Sequence, residues 1–280
     1  MAVLFAVIAA LAYGVSDFVG GIASRRVTVK TVLLISTPSG TILMACLLPS
    51  YGGPVSTNTL LWSIAGGVAG LSGVALLYAG LARAPMNIIS PVTAVMSAVV
   101  PVFGGLVLGE RPHLLAWFGI ALGLAAIVCI SRQPDDHPHG PVGWQPLIMA
   151  MGAGIGFGMY FICLARSDPN SGIWPVVLSR LTSFMLLLPL AVMGIAASGL
   201  TRIPGKVLML ALLAGVLDAT ANVAFLLASR HGLLSLSAVI TSLYPAGTVL
   251  LAIWILKEHS GWLQKVGFAV AALSIVCITS

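Results

Sequence analysis

Residues 106–131 read LVLGERPHLLAWFGIALGLAAIVCIS, and residues 254–279 read WILKEHSGWLQKVGFAVAALSIVCIT. Glu110 maps onto Glu258, Gly119 onto Gly267, and the run Ile127-Val128-Cys129-Ile130 onto Ile275-Val276-Cys277-Ile278. All share one offset of 148 residues without a gap. Nine of the 26 positions are identical. Apolar sequence raises chance identity, so the shared glutamate and the gapless register weigh more than the count. The chain is a tandem repeat. In each copy an apolar run meets an acidic residue, turns, and starts a second apolar run, so each copy closes with a helical hairpin able to cross a membrane.

Composition sets the class. The 280 residues are 59% hydrophobic and 7% charged, with a mean hydropathy of +1.09. That leaves too little polar surface to clothe a soluble globule, so this is an integral membrane protein. The net charge of +6 does not point to nucleic acid. Arg25, Arg26, Lys30, Arg83, Arg132, Arg202, Lys206 and Lys257 stand at the ends of apolar runs, where basic residues anchor helices to headgroups. No basic patch interleaved with aromatic residues exists. Cys46, Cys129, Cys163 and Cys277 lie inside apolar runs and read as small hydrophobes, without disulfide or metal spacing.

A helix rises about 1.5 Å per residue, so roughly 20 apolar residues cross the hydrocarbon layer. That rule predicts ten spans, at 2–23, 29–48, 59–82, 86–108, 112–131, 144–165, 173–197, 206–228, 232–256 and 261–279. The first lacks a basic leader and carries Asp17, so it reads as a retained span rather than a signal peptide. Between the fifth and sixth, residues 132–143 have the composition of a solvated linker, with prolines and charges that prevent a helix. The domain division is therefore 1–131, linker 132–143, and 144–280. Each half holds five spans. An odd number makes the second half enter the membrane upside down, so the expected fold is all-α, ten transmembrane helices as two inverted five-helix repeats. Secondary transporters use that plan, with a site between the halves near the midplane.

Glycines four apart (Gly66 and Gly70, Gly105 and Gly109, Gly119 and Gly123, Gly152 and Gly156, Gly154 and Gly158) let helix backbones approach closely in lipid. Pro91 and Pro101 interrupt the fourth span, and Pro245 the ninth, its repeat partner. Each frees a carbonyl that must face protein or a wet cavity, which makes these prolines hinge candidates.

The hairpin stretch Leu108-Gly109-Glu110-Arg111-Pro112, followed by Trp117-Phe118-Gly119-Ile120-Ala121-Leu122-Gly123, is similar to the end of an EamA domain of the drug/metabolite transporter superfamily. Leu256-Lys257-Glu258 with Gly267 repeats it less faithfully, since Lys257 replaces the glycine. Tyr13-Gly14-Val15-Ser16-Asp17-Phe18 resembles the start of such a domain, and Ile155-Gly156-Phe157-Gly158-Met159-Tyr160 is its weaker counterpart. The resemblance implies ten helices in two inverted halves, alternating access, and a central cavity between the first, third and fourth helices of each half. It implies small-molecule substrates such as amino acids, sugars, nucleotide-linked metabolites or drugs, and no motif selects among them.

Charges at membrane depth cost at least about 2.5 kcal/mol each and need a partner or a purpose. Three lie inside spans: Asp17, Arg180 and Asp218. Helix rise places Arg180 and Asp218 about 10 and 15 Å from the same face on antiparallel neighbours, so a salt bridge is geometrically allowed. Asn222 stands one turn beyond Asp218, with Thr220 nearby. Arg180 reads either as a clamp for a substrate carboxylate or phosphate, with Asp218 as counter-ion or proton carrier, or as half of a permanent structural pair. Asp17 reads as a gate, a proton site or an interfacial anchor. Tyr13, Tyr78, Tyr160 and Tyr244 suit a cavity for amphipathic molecules, and Asn87, Ser90 and Thr93 give the fourth span a polar start. Glu110 and Glu258, at the mouths of the fifth and tenth spans, are expected to favour helix N-termini.

Basic residues are concentrated in the loops after the odd-numbered spans, which by the positive-inside rule turns both termini outward. The family tendency places both termini in the cytoplasm instead. The expected function is a secondary active transporter of the inner (plasma) membrane that exports amino acids or related small metabolites, monomeric or homodimeric, with protons as a candidate coupling ion. A sugar or drug transporter, a scaffold and a membrane enzyme are the rivals. The five histidines lie in loops or span ends, which speaks against an enzyme. The Asp135-Asp136-His137-Pro138-His139 linker has nothing to fix a metal geometry, and no cofactor is expected.

Overall fold

A computed structural model describes residues 1–84, 86–131, 143–198, 203–257 and 261–280, the side chains of 86, 87 and 190–198 excepted. The helices are α1 (Ala2–Ser24), α2 (Val29–Tyr51), α3 (Thr57–Leu81), α4 (Met86–Val107), α5 (Leu114–Ser131), α6 (Trp144–Arg166), α7 (Trp174–Ser198), α8 (Gly205–His231), α9 (Leu234–Thr241), α10 (Tyr244–Leu256) and α11 (Trp262–Thr279). With α9 and α10 counted as one crossing, nine spans among the described residues meet the length and hydropathy of a membrane helix, and the apolar stretch Trp174–Pro189 of α7 supplies the tenth. No span end lies more than three residues from the position that the apolar runs predict. The linker at 132–142 lies outside the described residues.

Alternating crossings define two faces. Face A carries the connections 52–56, 108–113, 167–173 and 232–233; on face B lie the connection 25–28, the C-terminal ends of α3, α7 and α10, and the N-terminal ends of α4, α8 and α11. Packing between the halves obeys the repeat. α3 lies along α6 as α8 lies along α1, α3 meets α7 as α8 meets α2, and α6 meets α4 as α1 meets the α9–α10 crossing. α5 and α11 pair with each other. Such reciprocal contacts arise when the two halves are related by a two-fold axis in the membrane plane, which is the inverted arrangement.

The glycines of α6 explain how it is wedged between α3 and α4. A Cβ at Gly156 would stand 2.8 Å from Gly73 Cα on α3, whereas a Cβ at Gly158 would stand 3.0 Å from Pro101 Cδ on α4. Residues two apart point to opposite sides of a helix, so the two interleaved glycine pairs serve two different neighbours.

Two expectations are corrected. Pro91 and Pro101 are buried but do not interrupt the fourth span, because α4 runs unbroken from Met86 to Val107. The break occurs only in the partner crossing, where Pro245 sits in the first turn of α10. There the chain tightens through Ser242 N–H to Ala238 O (2.8 Å) and Leu243 N–H to Ile240 O (3.2 Å) before the helix restarts. Glu110, for its part, does not cap its own α5. It accepts hydrogen bonds from Leu234 N–H (2.5 Å) and Ser235 N–H (3.0 Å), the first turn of α9 in the other half. Glu258 lies outside the described residues.

Candidate functional site

A chain of polar contacts crosses the interior. Tyr13 Oη on α1 donates to Asn222 Oδ1 on α8 at 2.5 Å. Asn222 Nδ2 donates to Asp218 O at 2.8 Å and to Asp218 Oδ2 at 3.2 Å. Asp218 Oδ2 accepts from Arg180 Nη1 on α7, the ion pair that the sequence allowed. Arg180 Nη2 then reaches the carbonyls of Ser36 (3.3 Å) and Thr37 (3.4 Å) on α2 and of Gly215 (3.4 Å) on α8. Three helices, α2, α7 and α8, are thereby fastened around one guanidinium, and Tyr13 joins α1 to them through Asn222. A Cβ at Gly40 would stand 2.6 Å from that nitrogen, so α2 needs a glycine at this turn to make room. A buried charge is tolerated best when its donors are satisfied; Nη1 and Nη2 have partners, whereas Nε is buried without one.

The two ends of the ion pair differ in access. The Arg180 side chain is 8% exposed and the Asp218 side chain 41%. The guanidinium is thus enclosed by backbone, while the carboxylate opens onto a cleft. Asp17 is exposed although it lies about 10 Å inside its helix end. Its electrostatic neighbours are Asp218, Tyr13, Tyr78 and Tyr244, contributed by α1, α3, α8 and α10. An exposed carboxyl among several helices faces a cleft between them rather than lipid. Tyr160 on α6 interacts electrostatically with Tyr13, Asp218 and Arg180, which places it on the same wall.

Toward face A the cleft is closed by rings. Phe161 on α6 and Phe225 on α8 stack at 4.2 Å, and both are buried. Tyr13 stands 6.2 Å from Phe161 and 6.2 Å from Tyr244, and Tyr160 stands 6.2 Å from Phe161. The Phe161–Phe225 stack has no polar atom to mark it in sequence, and only the fold shows that it lies between the polar chain and face A. The carbonyls of Ser36 and Thr37 were equally invisible, since any residue carries one.

Several candidates fall elsewhere. Thr220 bonds Val216 O of its own helix and, two residues from both Asp218 and Asn222, lies on the opposite side of α8. Thr93 is buried and donates to Ala150 O at 3.1 Å, tying α4 to α6. The Asn87 side chain lies outside the described residues. Pro91, Pro101 and Pro245 pack in the protein interior.

Ten crossings in two inverted halves, with ionised side chains held among the helices, are an architecture used by membrane transporters. The model of the EamA-like transporter family matches residues 1–132 and again 144–280, and the chain belongs to that family. Family members are transporters and not enzymes. A solved structure described only as a crystal structure of a protein aligns with a TM-score of 0.80 over 99% of this chain and 98% of its own, at 15% identity, and shares the fold. No curated protein matches the chain significantly.

Proposed function

We propose that the protein is a secondary active carrier that exports amino acids or related amine-bearing metabolites by alternating access. The supporting observation is the unequal exposure of the ion pair: Asp218 opens to the cleft while Arg180 is engaged by backbone carbonyls. A cleft with Asp17 and Asp218 at its wall favours a cationic group, so the substrate ammonium would meet these carboxylates and its apolar part the tyrosine rings. In this reading Arg180 holds Asp218 in place and does not grip a substrate carboxylate, which revises the clamp role. The cleft is shut toward face A by the Phe161–Phe225 stack, and transport would require that stack to part while the face B side closes. Protons are the proposed coupling ion, carried by Asp17.

The test is counterflow in vesicles reconstituted with the purified chain, using a panel of labelled amino acids, simple amines and sugars. Asp218→Asn and Asp17→Asn are each expected to lower flux of an amine-bearing substrate by about tenfold or more, the scale of one lost charge-assisted contact. Undiminished flux in both variants would overturn the site, and flux confined to sugars would overturn the substrate class. Uptake driven by a pH gradient alone, lost in Asp17→Asn, tests the coupling.

A further inference from the structure

Where α3, α4 and α6 meet on the outer surface near face A, they leave a groove of about 340 Å³ walled by Trp62, Phe103, Gly104, Val107, Met159 and Arg166. Phe103 is 64% exposed and Val107 87%, so this surface faces the bilayer. The repeat offset of 148 carries Trp62, Phe103 and Gly104 onto Leu210, Leu251 and Ala252. Those three pack with Phe18, Val19 and Ala214 in an apolar cluster and are only partly exposed. At the repeat-related position, where α8 and α10 meet α1, Phe18 and Val19 of α1 therefore fill what is left hollow where α3 and α4 meet α6. A hollow on a lipid-facing surface forfeits dispersion contacts unless something from the bilayer occupies it.

The face A end of the groove is charged. Arg166, in the last turn of α6, is exposed, and its guanidinium carbon lies 5.8 Å from the centre of the Trp62 ring. Among the described residues it has no ion pair or hydrogen bond from its side chain. A guanidinium laid over an indole keeps its in-plane donors free, and those donors match phosphate oxygens. The helix end sets this arginine at headgroup level, with the groove running from it toward the hydrocarbon.

We propose that the groove is a binding site for one anionic phospholipid of the face A leaflet. An acyl chain lies along Phe103, Gly104 and Met159, and the headgroup phosphate rests on Arg166 beside Trp62. A zwitterionic headgroup brings its own cation to the phosphate and competes with Arg166, so phosphatidylglycerol binds more tightly than phosphatidylcholine. The site is separate from the interior cleft and does not depend on what the carrier moves.

Native mass spectrometry of the full-length purified chain, titrated with phosphatidylglycerol or phosphatidylcholine, tests this. One phosphatidylglycerol is expected to be retained at concentrations that leave phosphatidylcholine unbound. Arg166→Gln is expected to weaken that retention about tenfold. Val107→Trp, at a position 87% exposed to the bilayer, is expected to fill the groove and abolish retention of phosphatidylglycerol. Bromination of the phosphatidylglycerol chains is expected to quench wild-type fluorescence more than that of Trp62→Phe. Equal retention of the two lipids, or retention unchanged in both Arg166→Gln and Val107→Trp, would overturn the proposal. Displacement of the lipid by inorganic phosphate would reassign Arg166 to a soluble anion and overturn it as well.

Discussion

Gly67 on α3 and Gly215 on α8 stand 148 residues apart and admit the same kind of neighbour: a Cβ at Gly67 would run into Ser179 and Thr182 of α7, and one at Gly215 into Ser36 and Ser39 of α2. A serine hydroxyl ties each of these helix pairs, though not at matching positions: Ser183 Oγ donates to Gly67 O at 2.9 Å, and Ser39 Oγ to Leu212 O at 3.1 Å. Three residues further along, the likeness stops. Asp218 corresponds to Gly70, Asn222 to Val74, and Arg180, by the pairing of Ser36 with Ser179, to Thr37. The guanidinium thus holds the carbonyl of its own counterpart across the two-fold axis. Shared backbone contacts keep the two halves alike, and the Arg180–Asp218 pair is placed in the second half only. The difference separates what the fold needs twice from what the chemistry needs once.

Removing the charged end that opens to the cleft is the largest perturbation of this asymmetry. Asp218→Ala strands a guanidinium that is 8% exposed, and it is expected to cost about 3 kcal/mol, the lower end for a broken buried pair because Asp218 itself is partly solvated. Thermal unfolding in detergent measures the loss. Combining it with Arg180→Met should recover most of the stability, since removing both charges leaves nothing uncompensated.

Giving α3 the carboxylate that α8 carries at the matching position is the converse. Gly70 faces the Tyr160 ring, which a Cβ would approach to 3.5 Å, so Gly70→Asp places a carboxylate where no cation waits. The expected cost is about 2.5 kcal/mol, read from the same unfolding measurement. An unchanged midpoint would mean that the first half tolerates charge as the second does, and the division of labour would fail.

Glu110 bridges the halves at face A, and its effect is smaller. Glu110→Gln keeps one acceptor and loses the charge assistance at Leu234 N–H and Ser235 N–H, for an expected loss of about 1.5 kcal/mol. Hydrogen exchange should accelerate at those two amides while the rest of the bundle keeps its protection.

The sequence disclosed whatever depends on local composition. Apolar runs located all ten crossings, the odd number of spans in each half gave the inversion, and antiparallel depth brought Arg180 to Asp218. What stayed hidden depends on partners supplied by distant chain. Glu110 was read against α5 because α5 follows it, yet the two-fold axis brings the α4–α5 connection to the start of α9. Pro91, Pro101 and Pro245 look alike as residues, each removing one N–H. Whether the helix then breaks is decided by the packing around the freed carbonyl, and only the crossing with Pro245 breaks. Likewise a lone arginine does not announce which carbonyls will surround it, so a buried anchor and a substrate clamp read the same until α2 is in place.

The smallest effect tests whether the repeat reaches the details of the backbone. Gly109 ends α4 with φ +90, and its neighbour Glu110 N–H returns to Gly105 O at 2.9 Å, the left-handed closure of a helix that glycine adopts without a steric penalty. At the same repeat position Lys257 ends α10 with φ 57, the only non-glycine at positive φ among the described residues. The left-handed conformation costs an L-residue about 1 kcal/mol or more, so Lys257→Gly relieves strain in the folded state. Glycine also loses more freedom on folding, which cancels roughly half of that gain. The net expectation is a rise of about 0.5 kcal/mol for Lys257→Gly, and a loss of about 1 kcal/mol for Gly109→Ala, where no neighbouring atom opposes a Cβ and only φ is at issue. A loss in Lys257→Gly would show that the lysine's place at the face B headgroups outweighs its backbone strain, so that the second half keeps a strained terminus in exchange for an interfacial anchor.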